Sequence, residues 1–416
     1  MIPGRTLSFL LAAATMVQAP KQQPGLLPGP VKPSDLVVRL DLVGRMPTKT
    51  NPTSPAVAGR DLLLVDQAGF VYRWDGTRAS ELLTPKTAPT GLKLTGAESI
   101  VNVAANAAGT KVYVMFVSTT VPGGIPKRTS PREGTDAWYV LFEYDFEAGQ
   151  LSRPRPVTAM QVRTEGHVGG GMTVVDDGAV LFSPGDNGDS YEDGRDYSQN
   201  PVHHLAKIVR INPADGATQV VAVGVRCSQR LAIYRIGGEA WLTFVDPGGW
   251  ISEELNAITL ADLLTGAAPA DFGWGRSAAD GKTREGTFYI DKLGNSVARI
   301  AGPEPGFRSP IAEFGREEAT AVAISGPVRS ETSFSRISFL FGDLVSGAVY
   351  AVTGPPATSG QDVVKVSLVD SQARPITLRS LAGNSRPDPR FFNFPDGSAG
   401  LLIERTGDFY RISEQK

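Results

Sequence analysis

Leu62-Leu63-Leu64-Val65-Asp66-Gln67-Ala68-Gly69-Phe70-Val71-Tyr72 is the stretch on which the fold is decided. An apolar run reaches an acidic turn, crosses a glycine and resumes on a hydrophobic-aromatic pair. The glycine permits a positive φ that other residues resist, and the flanking alternation buries a face of each strand. The unit predicts an antiparallel hairpin. It recurs as Phe339-Leu340-Phe341-Gly342-Asp343-Leu344-Val345-Ser346-Gly347-Ala348-Val349-Tyr350 and as Leu401-Leu402-Ile403-Glu404-Arg405-Thr406-Gly407-Asp408-Phe409-Tyr410. Repeated hairpins share a core and hide their edges when four-stranded sheets are arrayed around an axis. An all-β propeller follows more naturally than a sandwich, and the copies at the two ends suit a ring whose terminal strands complete one blade.

Outward from these hairpins, the chain from about Leu36 alternates short β-branched and aromatic runs with Gly, Asp, Asn and Pro turns. Ser252–Leu264 is the exception. Leu255, Ile258 and Leu263 have roughly helical spacing there, although a strand followed by a looped insertion reads equally well. With 416 residues, 41% hydrophobic and 20% charged, the chain has ample material for a large core. Lys plus Arg number 41 against 43 for Asp plus Glu, so no basic field exists to collect nucleic acid. Cys227 is the single cysteine, which excludes an intramolecular disulfide.

Arg5, the apolar run Leu7–Val17 and the small residues near Ala19 have the layout of a secretory signal, too short for a stable membrane span. The expected organisation is a signal over 1–19, a flexible Pro- and Gly-rich leader over 20–35, and one propeller domain over 36–416. The expected location is periplasmic or secreted.

A second set of residues carries chemistry. His167-Val168-Gly169-Gly170-Gly171-Met172 leads to the loop Gly185-Asp186-Asn187-Gly188-Asp189. Then come Lys207-Ile208-Val209-Arg210-Ile211 with an Asp215-Gly216 turn, Gly224-Val225-Arg226, Asp246-Pro247-Gly248-Gly249-Trp250, Glu254-Leu255-Asn256 and Phe272-Gly273-Trp274. Each is weak alone, but their order resembles that of the soluble glucose/sorbosone dehydrogenases. The likeness is tightest over Gly166–Trp274 and returns over Arg386–Arg411.

The resemblance implies a six-bladed propeller that binds pyrroloquinoline quinone (PQQ) and calcium at the top of its axis. It implies an oxidoreductase that passes a hydride from a sugar or other alcohol to the quinone, and then electrons to an external acceptor. The matching general base is His167, a residue type whose ordinary pKa suits proton abstraction. Arg226 matches a catalytic and cofactor-binding arginine. Gln67, Arg386 and Arg390 would also hold the cofactor, since planar guanidinium forks suit carboxylates. The carbonyls of Gly248 and Gly249 would bind calcium.

Departures from the family pattern are Gly166 where sugar-oxidising members carry aspartate, Cys227 where asparagine is usual, and Val345 near a quinone-contacting lysine. A non-catalytic propeller that binds carbohydrate or protein and has lost the cofactor site is therefore the alternative expectation. Each residue also has a structural reading. His167 can serve a loop, Arg226 an inter-blade ion pair and the acidic loop Asp186–Asp196 solvent or a metal. His203 and His204 can cap or pack, and Trp250 and Trp274 can fill a blade core or wall a sugar pocket.

Overall fold

A computed structural model describes residues 28–47, 52–53, 55–96, 99–130, 136–163, 167–187, 197–249, 251–275, 282–291, 296–300, 304, 306–315, 324–355 and 358–415. The signal segment, most of the leader, Gly166, Trp250 and the acidic loop beyond Asn187 lie outside the described residues. Residues 28–35, expected as leader, lie against the propeller. Val31 is buried beside Val363, and Lys32 exchanges backbone hydrogen bonds with Val363 and Lys365.

Six four-stranded antiparallel units follow one another along the chain. Their innermost strands are Ala56–Ala58, Ile100–Ala105, Gly169–Val174, Ala232–Ile236, Ile324–Val328 and Pro389–Asn393. We number the blades in that order. The sixth blade is built from both ends of the chain. Val37–Arg45 forms its outermost strand, antiparallel to Asp408–Glu414 and, on its other edge, parallel to Val364–Val369 of blade five. The terminal strands thus close the ring, as the end-to-end placement of the hairpins predicts.

The hairpin pattern has a direct physical cause. Leu63, Val65 and Val71 face blade two, while Leu62, Leu64, Tyr72 and Trp74 face Phe392, Phe394, Leu402 and Phe409 of blade six. Phe339, Phe341 and Tyr350 pack toward blade four, whereas Leu340, Val349 and Ala351 pack toward blade six. Side chains alternate across a strand, so a strand covered on both faces must be apolar at consecutive positions. That is why these runs are continuous rather than alternating. Six buried clusters result, one at each seam between neighbouring blades.

Ser252–Thr259 is a strand and Leu260–Thr265 a short helix whose N-terminus is capped by Thr259, so both readings of that segment hold in part. A satellite sheet of Thr283–Glu285, Phe288–Ile290 and Ser296–Arg299 is inserted before the outer strand of blade four. Among the described residues no helix is long and apolar enough to cross a membrane.

Candidate active site

Because strands alternate direction within each blade, the loop before every innermost strand and the turn after every second strand share one face of the ring. His167 and Arg226 precede innermost strands on that face. Gln67, Asp186, Gly248, Gly249 and Val345 lie in its turns, and Arg386 and Arg390 lie at the entry to blade six.

At the junction of blades three and four three side chains converge. His167 Nδ1 is 2.9 Å from Asp186 Oδ1, and Arg226 Nη2 is 3.3 Å from His167 Nε2. Arg226 Nε lies 3.6 Å from Asp186 Oδ2. Asp186 is buried while the His167 side chain retains 33% exposure, so an edge of the imidazole stays open on this face of the ring.

Local backbone geometry explains this convergence. His167 adopts φ of 44°, a left-handed conformation that costs a non-glycine residue about 1–2 kcal/mol. Asn187 N donates to its carbonyl at 3.3 Å, and Gly169 takes the next turn with φ of 66°. A side chain at Gly185 would collide with the His167 carbonyl, so the close approach of the two loops requires glycine there. Strain held by surrounding contacts at a half-exposed histidine is characteristic of functional sites.

Arg226 is buried and almost fully used. Its Nη1 donates to the Pro247 and Gly248 carbonyls at 3.2 and 2.9 Å, and its guanidinium sits 5.0 Å from the Trp274 ring centre. Asp246 accepts from the backbone N–H groups of Arg226 and Cys227 at 2.7 and 2.8 Å. Burial raises the Asp246 carboxyl to about 7, against the lowering effect of those amides. Burial likewise raises the Cys227 thiol to about 12, so it is a packing residue rather than a nucleophile.

The remaining arginines are paired on the same face. Arg390 donates to Glu404 Oε2 at 2.5 Å and to Gln229 Oε1, while its buried Nε has no acceptor among the described residues. Arg386 is half exposed and bonds Asp388 through Nη2 at 2.6 Å. Asp388 N donates to Leu344 O at 3.0 Å, which sets the Arg386 loop against the turn that carries Val345. Gln67 is tied to blade two through its backbone carbonyl, which accepts from Ser99 N at 2.7 Å.

This geometry bears on the Gly248 half of the calcium assignment. The Gly248 carbonyl and its neighbour Pro247 face the Arg226 guanidinium, and a divalent cation there would meet a fixed positive charge instead of free carbonyl oxygens. No trio of His, Cys, Asp or Glu among the described residues is placed to hold a metal. A quinone with carboxylate groups fits better. Arg390 Nε is an orphaned buried donor, and Arg386 has exposed donors beyond the one given to Asp388.

Asp186 is the residue that sequence reasoning did not single out. It stood in the Gly185-Asp186-Asn187 motif, but read as one acid among several in a loop. His203 and His204 pack, as their structural reading has it: His203 meets the Tyr197 ring edge-on, and buried His204 Nε2 lies 2.6 Å from Gln161 O. Trp274 is buried against Arg226.

No protein-family model and no curated protein matches the chain. Solved structures do. The PQQ-bound aldose sugar dehydrogenase of Streptomyces coelicolor superposes with a TM-score of 0.58 over 92% of this chain and 100% of its own, at 18% identity.

The fold is that of the soluble sugar dehydrogenases.

An oxidoreductase of Thermus thermophilus assigned as a glucose dehydrogenase gives 0.57 over 91% of this chain and 100% of its own, at 16% identity. A further glucose dehydrogenase gives 0.56 over 90% and 98%, at 17% identity. At such identities the likeness carries architecture, and the chemistry must be argued from the side chains.

Proposed function

We propose that this protein is an exported oxidoreductase that oxidises a sugar or other alcohol carbon, with PQQ as hydride acceptor and an external acceptor for the electrons. The observation that carries the reading is the His167–Asp186–Arg226 cluster at the axial mouth. Support also comes from the PQQ-bound neighbour of the same fold and, for export, from the Arg5 and Leu7–Val17 pattern.

Asp186 accepts a hydrogen bond from Nδ1–H of His167, which leaves the Nε2 lone pair as the acceptor that Arg226 faces. A substrate hydroxyl that replaces the Arg226 N–H at Nε2 gives up its proton there, and the carboxylate of Asp186 offsets the imidazolium charge that forms. As the proton leaves, the C–H electron pair departs as hydride and the alcohol carbon becomes a carbonyl. When bound, the quinone supplies the electrophilic carbon that takes this hydride. Arg386 and Arg390 would hold its carboxylates. No step in this reading runs through calcium, because Arg226 already takes the Gly248 carbonyl.

Purified protein mixed with PQQ and then passed through a desalting column should retain the quinone absorbance and reduce a dye with at least one aldose or alcohol of a broad panel. Absence of both bound quinone and dye reduction would overturn the reading. Sugar binding without quinone retention would instead favour the non-catalytic propeller that Cys227 and Val345 suggest.

A further inference from the structure

The loop that delivers Arg226 to the mouth continues down the axis. Gly171 N donates to Ser228 O at 3.0 Å and Ser228 Oγ donates to Arg230 O at 3.1 Å, so residues 228–231 lie across the middle of the innermost strand of blade three. Beyond them is a cavity of about 200 Å³ on the axis, walled by innermost strands of blades one to four and by Asn393 of blade six. Its polar side chains are Asn102, Thr173, Arg230, Tyr234 and Asn393, with Val57, Ala104, Leu231 and Ile233 among its apolar wall.

Arg230 is the charged residue of this lining. Its Nε donates to Pro327 O at 3.1 Å, and its Nη2 reaches Tyr234 Oη at 3.4 Å and Asn393 Oδ1 at 3.5 Å. All three partners are neutral. No carboxylate pairs with it among the described residues, and Nη1 has no acceptor there. On the opposite face Arg226, Arg284 and Arg390 each have a carboxylate partner. The neutral contacts hold the Arg230 guanidinium in place without cancelling its charge, which leaves it to attract an anion.

We propose that this far end of the axial channel is a binding site for a small carboxylate, with the Arg230 fork as its charge partner. A planar carboxylate matches the in-plane donors of a guanidinium. A volume of about 200 Å³ has room for a short carboxylic acid. The hydroxyls of Thr173 and Tyr234 suit an acid that itself bears hydroxyl groups. The site is independent of the oxidation reading, because it shares no side chain with the His167 cluster.

Calorimetric titration of the purified full chain with lactate and with gluconate, at constant ionic strength in chloride, tests the proposal. Saturable binding of at least one is expected, weakened about 10- to 100-fold in Arg230→Gln, the effect of losing a charged hydrogen-bonding partner. Ala104→Val, which narrows the cavity and leaves Arg230 in place, should weaken binding too, and it serves if Arg230→Gln does not fold. His167→Ala should bind as the wild type does. Failure of the wild type to bind either acid, unchanged binding in both cavity variants, or preference for phosphate and sulfate over every carboxylate would overturn it.

Discussion

The seam between blades five and six and the junction between blades three and four use opposite materials for the same geometric task. At the first, Leu340, Val349, Leu401, Ile403 and Ile412 fill the space between sheets, and the charged contacts are peripheral, such as Arg336 with Glu414 at 2.6 Å. At the second, the same layer of apolar contacts through Leu181, Val221 and Phe244 is capped by buried Asp186, Arg226 and Asp246. Apolar burial is favourable wherever it occurs, whereas buried charges recover their desolvation cost only with good partners. The ring is stabilised at its seams, while under the proposed function the strained and charged junction at the mouth carries the chemistry.

The closing seam is the place to break stability. Leu401 is buried among the residues that join the two chain ends into one blade. Leu401→Ala should lower the unfolding free energy by about 2–5 kcal/mol, measured by urea denaturation. Dye reduction by the molecules that remain folded should be unchanged. A parallel loss of activity per folded molecule would mean that the seam and the mouth are not separable.

A finer contrast is available at the same seam through pH. Burial disfavours the charged form of Glu414, but hydrogen bonds from the Arg336 and Ser335 amides and side chains outweigh it and hold the carboxyl at about 2. A folded-state pKa below the unfolded value means that this contribution is complete above about 4.3 and is lost as pH falls toward 2. Glu414→Gln should therefore flatten the dependence of the urea midpoint between these pH values. An unchanged slope would assign acid sensitivity to other carboxylates.

Much of the seam was legible in the sequence. Leu62 to Val65 and Phe339 to Phe341 are consecutive apolar residues ended by Asp and Gly turns, and consecutive burial is what a blade packed on both faces demands. The repeat and the fold class follow from that pattern, whereas the closure by terminal strands, which the end copies only suited, is seen in the pairing of Val37–Arg45 with Asp408–Glu414. The mouth was legible only in part. His167 and Arg226 meet, but the meeting depends on the left-handed backbone at His167 and on the fit of Gly185 beneath it, neither of which has a periodic signature.

Asp186 escaped notice because an acid in a Gly-Asp loop looks the same whether it faces solvent or a histidine. Gly248 was read as a metal ligand because a carbonyl-rich turn does not reveal which cation it faces, and here that cation is Arg226. Arg386 and Arg390 do reach the shared face, yet each is already bonded to an acid of its own blade, Asp388 and Glu404, that spacing does not single out. Arg230 was not read at all, since an arginine shows its lack of a counter-charge only in three dimensions.

The central claim is that His167 takes the substrate proton at the axial mouth. It is tested most directly by stopped-flow reduction of bound PQQ after mixing with an active sugar, comparing the wild type with His167→Ala. The expected result is quinone retained by both proteins and a reduction rate about 10²- to 10⁴-fold lower in the variant, the usual range for loss of a general base. Quinone reduction at the wild-type rate in His167→Ala would contradict the account.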